Sequence, residues 1–165
     1  MPTLQRHRAD MNHPASWLPP SAAPDGDRPV AEATSRATRV VLYVEDDPLN
    51  AMLMQGIVEL RPGFALRIAR SGAEARGFVA LQRVDLLLCD LGLPDGPGDA
   101  LLPQLRQAGL PAAVPALLVT AESADVAADV ARRGGFDGHW TKPLDVLATL
   151  RGLERWLGAA AEAGT

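Results

Sequence analysis

The sequence predicts an α/β protein, a doubly wound five-stranded parallel sheet with helices on both faces. Three observations predict it. Short apolar runs alternate with segments that repeat apolar residues every three or four positions, in the order βαβαβαβαβα. The run over residues 84–90 is nearly continuous in its apolar character, as suits a strand buried on both faces of a parallel sheet. Polar residues collect where the runs end, at Glu45, Asp46, Asp47, Asp90, Thr120 and Lys142, and that edge is where open α/β sheets hold ligands.

Each element has its own justification. Residues 39–44, RVVLYV, are apolar and partly β-branched, a strand that runs into the three acids. Asp47 and Pro48 supply an N-cap and a first helical residue. The spacing predicts a helix to about Leu60, with Leu49, Leu53, Ile57 and Leu60 as its core-facing stripe and Met52 and Met54 packing beside it. Arg61, Pro62 and Gly63 stop it. FALRIA, residues 64–69, is the second strand. Ser71 and Glu74 fit a capping box that opens a helix to about Gln82. The third strand ends on Asp90, and Gly92, Pro94, Asp95, Gly96, Pro97 and Gly98 make a turn-rich loop. A helix over residues 98–107 carries Leu101, Leu102 and Leu105, and tolerates Pro103 only in its first turn. The fourth strand, residues 113–120, ends in the Thr120 hydroxyl. Ser123 caps a helix over residues 124–133, with Val126, Ala127 and Val130 inward and Gly134 and Gly135 ending it. GFDGHWTK holds the fifth strand, ending near Lys142. Pro143 opens the last helix, striped by Leu147, Leu150, Leu153 and Leu157.

Composition bounds the rest. At 165 residues the chain is long enough for one good core, and 47 % hydrophobic residues is ordinary for a soluble globular domain. Residues 1–37 hold six prolines, charges that cancel and little periodicity. Such a stretch buries too little apolar area to offset its ordering entropy, so a disordered leader is expected there. Trp17 and Leu18 read as scattered apolar residues within it. Residues 159–165 read as a frayed tail, which leaves residues 38–158 as the folded domain. A formal charge of −4 argues against a dedicated nucleic-acid binder. No apolar run approaches the ~20 residues of a membrane span, and the polar start is not a signal peptide. A cytoplasmic protein is expected, without nucleic-acid or membrane partners. The one cysteine, Cys89, excludes an intramolecular disulfide and any multi-cysteine metal site. In an apolar strand it reads as an inert buried thiol.

The chemistry sits in the strand ends. A chain with fifteen arginines has a single lysine, Lys142, at a strand end directly before Pro143. An ammonium is a compact point charge on a flexible stem, unlike a guanidinium. In a sheet ordered 2-1-3-4-5, strands one and three adjoin at the topological switch point, so Asp90 stands against the acids of strand one. Carboxylates so close repel unless a cation joins them. A few hard oxygen ligands, with room for waters and a phosphate, suit Mg2+. The ammonium balances the remaining charge and can meet a phosphate. A hydroxyl, a lysine and a divalent cation around one aspartate make a phosphoryl-transfer arrangement, with the aspartate as nucleophile.

VLYVEDDP, CDLGLP, LLVTAES and HWTKPL together resemble the receiver domain of two-component response regulators, over about residues 39–157. Its style is similar to receivers attached to hybrid sensor histidine kinases. The resemblance implies the flavodoxin-like (βα)5 fold in strand order 2-1-3-4-5. It implies Asp90 as phospho-acceptor and Glu45 and Asp46 as the acidic pair. Mg2+ is then held by Asp46, Asp90 and the backbone carbonyl of Gly92, with Glu45 beside them. Thr120 is the switch hydroxyl, Lys142 the family lysine, and the Lys142–Pro143 bond is cis. Two positions depart from the pattern. His139 stands where the family usually has a Tyr or Phe switch residue, which makes pH-sensitive switching an expectation. Gly92 stands where Asn, Gln or Met is frequent, so Gly92 and Glu122 become the residues that control dephosphorylation.

The resemblance implies a phosphoryl group taken from a histidine kinase or a histidine phosphotransfer protein. The signal is expected to pass by protein contact through the face of helix four, strand five and helix five. The only catalysis expected is self-catalysed phosphotransfer and slow autodephosphorylation. A phosphate-independent adaptor is the alternative, against which the full set of Asp46, Asp90, Thr120 and Lys142 speaks. An aspartate-nucleophile hydrolase of the haloacid dehalogenase type would place a second aspartate at position 92, where this chain has glycine.

Overall fold

The structure is a computed structural model that describes residues 38–162; the expected leader, residues 1–37, lies outside the described residues. In chain order the elements are β1 (Arg39–Val44), α1 (Pro48–Glu59), β2 (Phe64–Ala69), α2 (Gly72–Leu81) and β3 (Leu86–Asp90). After them come β4 (Gly92–Leu93), β5 (Gly96–Pro97), a 3-10 turn (Gly98–Ala100) and α3 (Leu101–Ala108). The chain closes with β6 (Ala116–Thr120), α4 (Ala124–Gly134), β7 (Gly138–Thr141) and α5 (Val146–Glu162). The main sheet is parallel, in the order β2-β1-β3-β6-β7. Because β4 and β5 form a separate two-residue hairpin, this is the expected 2-1-3-4-5 order of the flavodoxin-like fold.

Alternation along the strands builds two cores. Leu42, Val44, Leu87, Cys89, Ala116 and Leu118 face the side that α2, α3 and α4 cover. Val41, Tyr43, Leu86, Leu88, Leu117 and Val119 face the side of α1 and α5. With a period of two, both sets of each strand are inside, which is why the strands read as apolar runs. The same parity places Glu45, two residues past Tyr43, and Asp90, two past Leu88, on the α1 and α5 side of the sheet edge.

Local signals set the helix starts. The Asp47 carboxylate accepts from the Leu49 amide at 2.8 Å, and Pro48 follows it. Ser71 Oγ accepts from the Glu74 amide at 3.2 Å. Glu74 reaches back to the Arg70 amide at 2.7 Å, one residue beyond the ideal capping box. Pro103 falls in the first turn of α3, where its missing N–H costs nothing. Three starts differ from expectation. The fourth main-sheet strand begins at Ala116, because Pro115 before it has no N–H for the ladder. A 3-10 turn precedes α3. The last helix begins at Val146, not Pro143, because Asp145 caps it: its carboxylate accepts from the Ala148 amide at 2.7 Å.

The inward stripes also need correction. On α1 the buried residues are Met54, Ile57 and Val58, whereas Leu49 is 72 %, Met52 69 % and Leu60 56 % exposed, and Leu53 is exposed too. On α4 Val126 is exposed, and Ala127 and Ala131 face the core. On α5 Leu147 is exposed while Leu150, Leu153 and Leu157 are buried. Among the described residues, no helix is long and apolar enough to cross a membrane.

Candidate functional site

Four strand ends meet at the carboxyl edge of the sheet, where the strand order reverses between β1 and β3. Glu45 leaves β1 pointing inward and is 1 % exposed. Its Oε2 accepts from the Tyr43 hydroxyl at 2.6 Å and from Lys142 Nζ at 2.7 Å, and its Oε1 accepts from the Asp47 amide at 3.1 Å. Asp46, next in the chain, is exposed. Asp90 ends β3; its Oδ1 accepts from the same Lys142 ammonium at 2.8 Å, and its Oδ2 from the Gly92 amide at 3.1 Å. Lys142 arrives from the end of β7 on a cis Lys142–Pro143 peptide, and its amide donates to the Thr120 carbonyl at 2.7 Å. One ammonium is thus shared by two carboxylates, while a third carboxylate stands beside them.

The electrostatics follow from that count. Burial pushes the Asp90 carboxyl above its usual range, and the Glu45 charge adds to this; the Lys142 ammonium and the Gly92 amide oppose it without cancelling it. Burial by itself would lower Lys142, but hydrogen bonds and charge from Asp90 and Glu45 outweigh burial and raise it. Tyr43 is pushed up, first by burial and then by its bond to Glu45, so it stays a neutral donor. Burial, with Asp90 next to it, also raises the Cys89 thiol, which keeps it protonated and unreactive.

Glu45, Asp46 and Asp90 each offer a carboxylate oxygen, and these atoms lie within 4.8 Å of one another. Three hard anionic donors, only one of them exposed to solvent, fit a Mg2+ ion that keeps waters. Thr120, the end of β6, is 2 % exposed, and its Oγ1 accepts from the Glu122 amide at 3.1 Å. The Glu122 side chain itself is exposed. His139 does not join the strand-end cluster. It pairs in register with Leu118, two residues back along β7, on the α4 side of the sheet. Sequence reasoning missed the Tyr43 phenol as a partner of Glu45. The period of two along β1, which puts residues 43 and 45 on one face, is the signal that could have found it.

The family model described as "Response regulator receiver domain" matches residues 41–151. The polar-differentiation response regulator DivK of Brucella ovis is 29 % identical over 123 residues, covering 74 % of this chain and 99 % of the relative. A response regulator receiver domain from Methylobacillus flagellatus superposes with a TM-score of 0.63 at 26 % identity, covering 73 % of this chain and 99 % of that one. The receiver domain of a sensor histidine kinase from Pseudomonas aeruginosa superposes with a TM-score of 0.66 at 25 % identity, covering 74 % and 99 %. That structure has a magnesium ion in its active-site cleft.

Proposed function

Because the chain belongs to the response regulator receiver domain family of two-component systems, we propose that Asp90 accepts a phosphoryl group from the phosphohistidine of a kinase or phosphotransfer protein. The observation that carries this reading is the shared ammonium: Lys142 Nζ lies 2.8 Å from Asp90 and 2.7 Å from Glu45. A carboxylate held this way keeps a lone pair for attack, and a cation already stands beside the oxygens that the phosphoryl group brings. An Asp90 oxygen bonds to phosphorus as the donor's P–N bond breaks. The nitrogen takes that electron pair, and the imidazole picks up a proton from solvent. Lys142 balances the added charge, and the Thr120 hydroxyl donates to a phosphoryl oxygen. Asp46 and Asp90, with the Gly92 carbonyl and Glu45 nearby, would hold Mg2+, which supplies charge neutralisation on the transferring group.

The exposed side of α1 supports the donor's approach. Leu49, Met52, Leu53 and Leu60 lie along that side at helical spacing, and the helix starts two residues after Asp46. A donor helix seated on that stripe brings its histidine to the carboxylate edge. The outgoing message uses the face of α4, β7 and α5, with His139 at the switch position.

Incubation with acetyl phosphate and Mg2+, followed by intact mass, tests the acceptor. Wild type should gain one phosphoryl group and Asp90→Asn none. Equal modification of Asp90→Asn would refute the assignment. Mg2+ at about a hundred times its Kd should stabilise wild type by ~2.7 kcal/mol through mass action, seen as a rise in Tm. Asp46→Ala should lose most of that rise, and full stabilisation of the variant would move the ion elsewhere.

A further inference from the structure

The loop after Asp90 is a miniature hairpin. Gly92 pairs with Pro97 and Leu93 with Gly96, and the Gly98 amide closes it on the Leu91 carbonyl at 2.8 Å. Gly98 backs onto the strand end so closely that a Cβ there would lie 1.8 Å from the Asp90 carbonyl oxygen. Two paired residues on each side are far too few for a hairpin to hold itself together. Its conformation therefore depends on what grips it.

The grip is at the tip. Asp95 Oδ1 accepts from the Gly72 amide and Oδ2 from the Ala73 amide, each at 2.8 Å. These are the first two residues of α2, whose amides have no partner inside the helix. Ser71 caps the third, on Glu74, so the first turn divides its free donors between a local cap and the acceptor loop. Gly72 permits the approach: a Cβ there would stand 3.4 Å from both Asp95 oxygens and 2.9 Å from Leu101 Cδ1. Beyond its first turn, α2 is fixed to the core through Ala75 and Val79. Asp95 thus ties the tip of a weak hairpin to the positive end of a firmly packed helix.

The other end of that hairpin is Gly92. Its amide donates to Asp90 Oδ2, and on the proposed reading its carbonyl faces the metal. We propose that Asp95 is a positioning residue for the acceptor loop, holding Gly92 at the geometry that Asp90 and the divalent cation require. This rests on the phospho-acceptor reading above, and it assigns Asp95 more than the capping of α2.

Comparing Asp95→Ala with Ser71→Ala separates the two roles, because both uncap α2 and only the first releases the hairpin. Three quantities are measured: Tm, hydrogen exchange of the Gly98 amide in metal-free protein, and the Mg2+ concentration giving half-maximal phosphorylation by acetyl phosphate. Both variants should lose Tm. Only Asp95→Ala should speed Gly98 exchange and raise the Mg2+ midpoint, the latter on the order of tenfold, as loss of an outer contact to a metal site does. Equal effects of the two variants on exchange and midpoint, or none from Asp95→Ala, would overturn the proposal. Absence of phosphorylation in wild type would instead refute the acceptor reading, with Gly98 exchange still deciding whether Asp95 holds the loop.

Discussion

Strand β3 has a buried aspartate at each end, and the two are held in opposite ways. Asp85, just before the strand, has a carboxylate only 4 % exposed. Its Oδ2 accepts from the Val40 amide at 2.8 Å; its Oδ1 accepts from Arg39 at 3.2 Å and from two nitrogens of Arg83 at 3.1 and 2.6 Å. Burial would raise its pKa, but the Val40 amide and the two guanidinium groups more than reverse this, so the carboxyl lies below its usual range. Asp90 has one ammonium shared with Glu45 and one amide, and lies above that range. The residue type and the strand are the same; the supply of donors differs. Asp85 is satisfied by the protein alone and stitches β1 to β3. Asp90 is left short of positive charge, the condition in which a carboxylate gains from a cation.

Removing each aspartate should therefore change stability in opposite directions. Asp85→Ala leaves the Val40 amide and the half-buried Arg39 without their acceptor, a loss of about 2–3 kcal/mol. Urea unfolding measures it, and the folded variant should still be phosphorylated. Asp90→Asn, without divalent cation, removes an undercompensated charge and should gain on the order of 1 kcal/mol. The same sign for both would erase the contrast. The acid limb sharpens it. A carboxyl whose native pKa is depressed contributes fully above its ordinary value, about 3.9, and loses that contribution as pH falls through the depressed value. The stability difference between wild type and Asp85→Ala should shrink below about pH 4. A difference that instead grows on acidification would contradict the clamp.

Asp85 also shows where sequence reading stops. Both aspartates flank the same apolar run, and the sequence singled out only Asp90, because a turn-rich loop follows it and Lys142 stands at another strand end. What distinguishes them physically is Arg39, distant in sequence, and the Val40 amide, which no side-chain pattern reveals. The strands and their polar ends were legible because period and polarity both mark them, whereas the 2-1-3-4-5 order followed from the resemblance to receiver domains. The face of α1 was not. Leu49, Leu53 and Leu60 stand four and seven residues apart, and Ile57 and Val58 lie three and four residues after Met54, so both sets have helical spacing and periodicity cannot say which one the sheet covers. Asp95 was legible as a turn residue only. Its partners are amides of α2, more than twenty residues earlier in the chain.

The smallest expected effect concerns the second oxygen of Asp90, which meets only the Gly92 amide where Asp85 meets a saturating set of donors. Hydrolysis of a phosphorylated Asp90 needs a water in line with the breaking phosphorus–oxygen bond, and poor placement of that water costs rate steeply. Glycine at position 92 offers no side chain to guide it. The backbone there accepts one: a Cβ on Gly92 would meet only Asp90 Oδ2, at an ordinary 3.6 Å. Among the described residues the glycines with positive φ are Gly63, Gly96, Gly109 and Gly135, and Gly92 is not one of them. Gly92→Asn should therefore fold normally and place an amide beside the phosphoryl group. With ~1.4 kcal/mol of barrier worth tenfold in rate, one added hydrogen bond to the attacking water should shorten the lifetime roughly threefold to tenfold. Decay of the phosphorylated protein, with Mg2+ present and the donor removed, measures it. Should the variant decay no faster than wild type, the exposed Glu122 beside Thr120 already positions the water, and the missing side chain at position 92 does not set the lifetime.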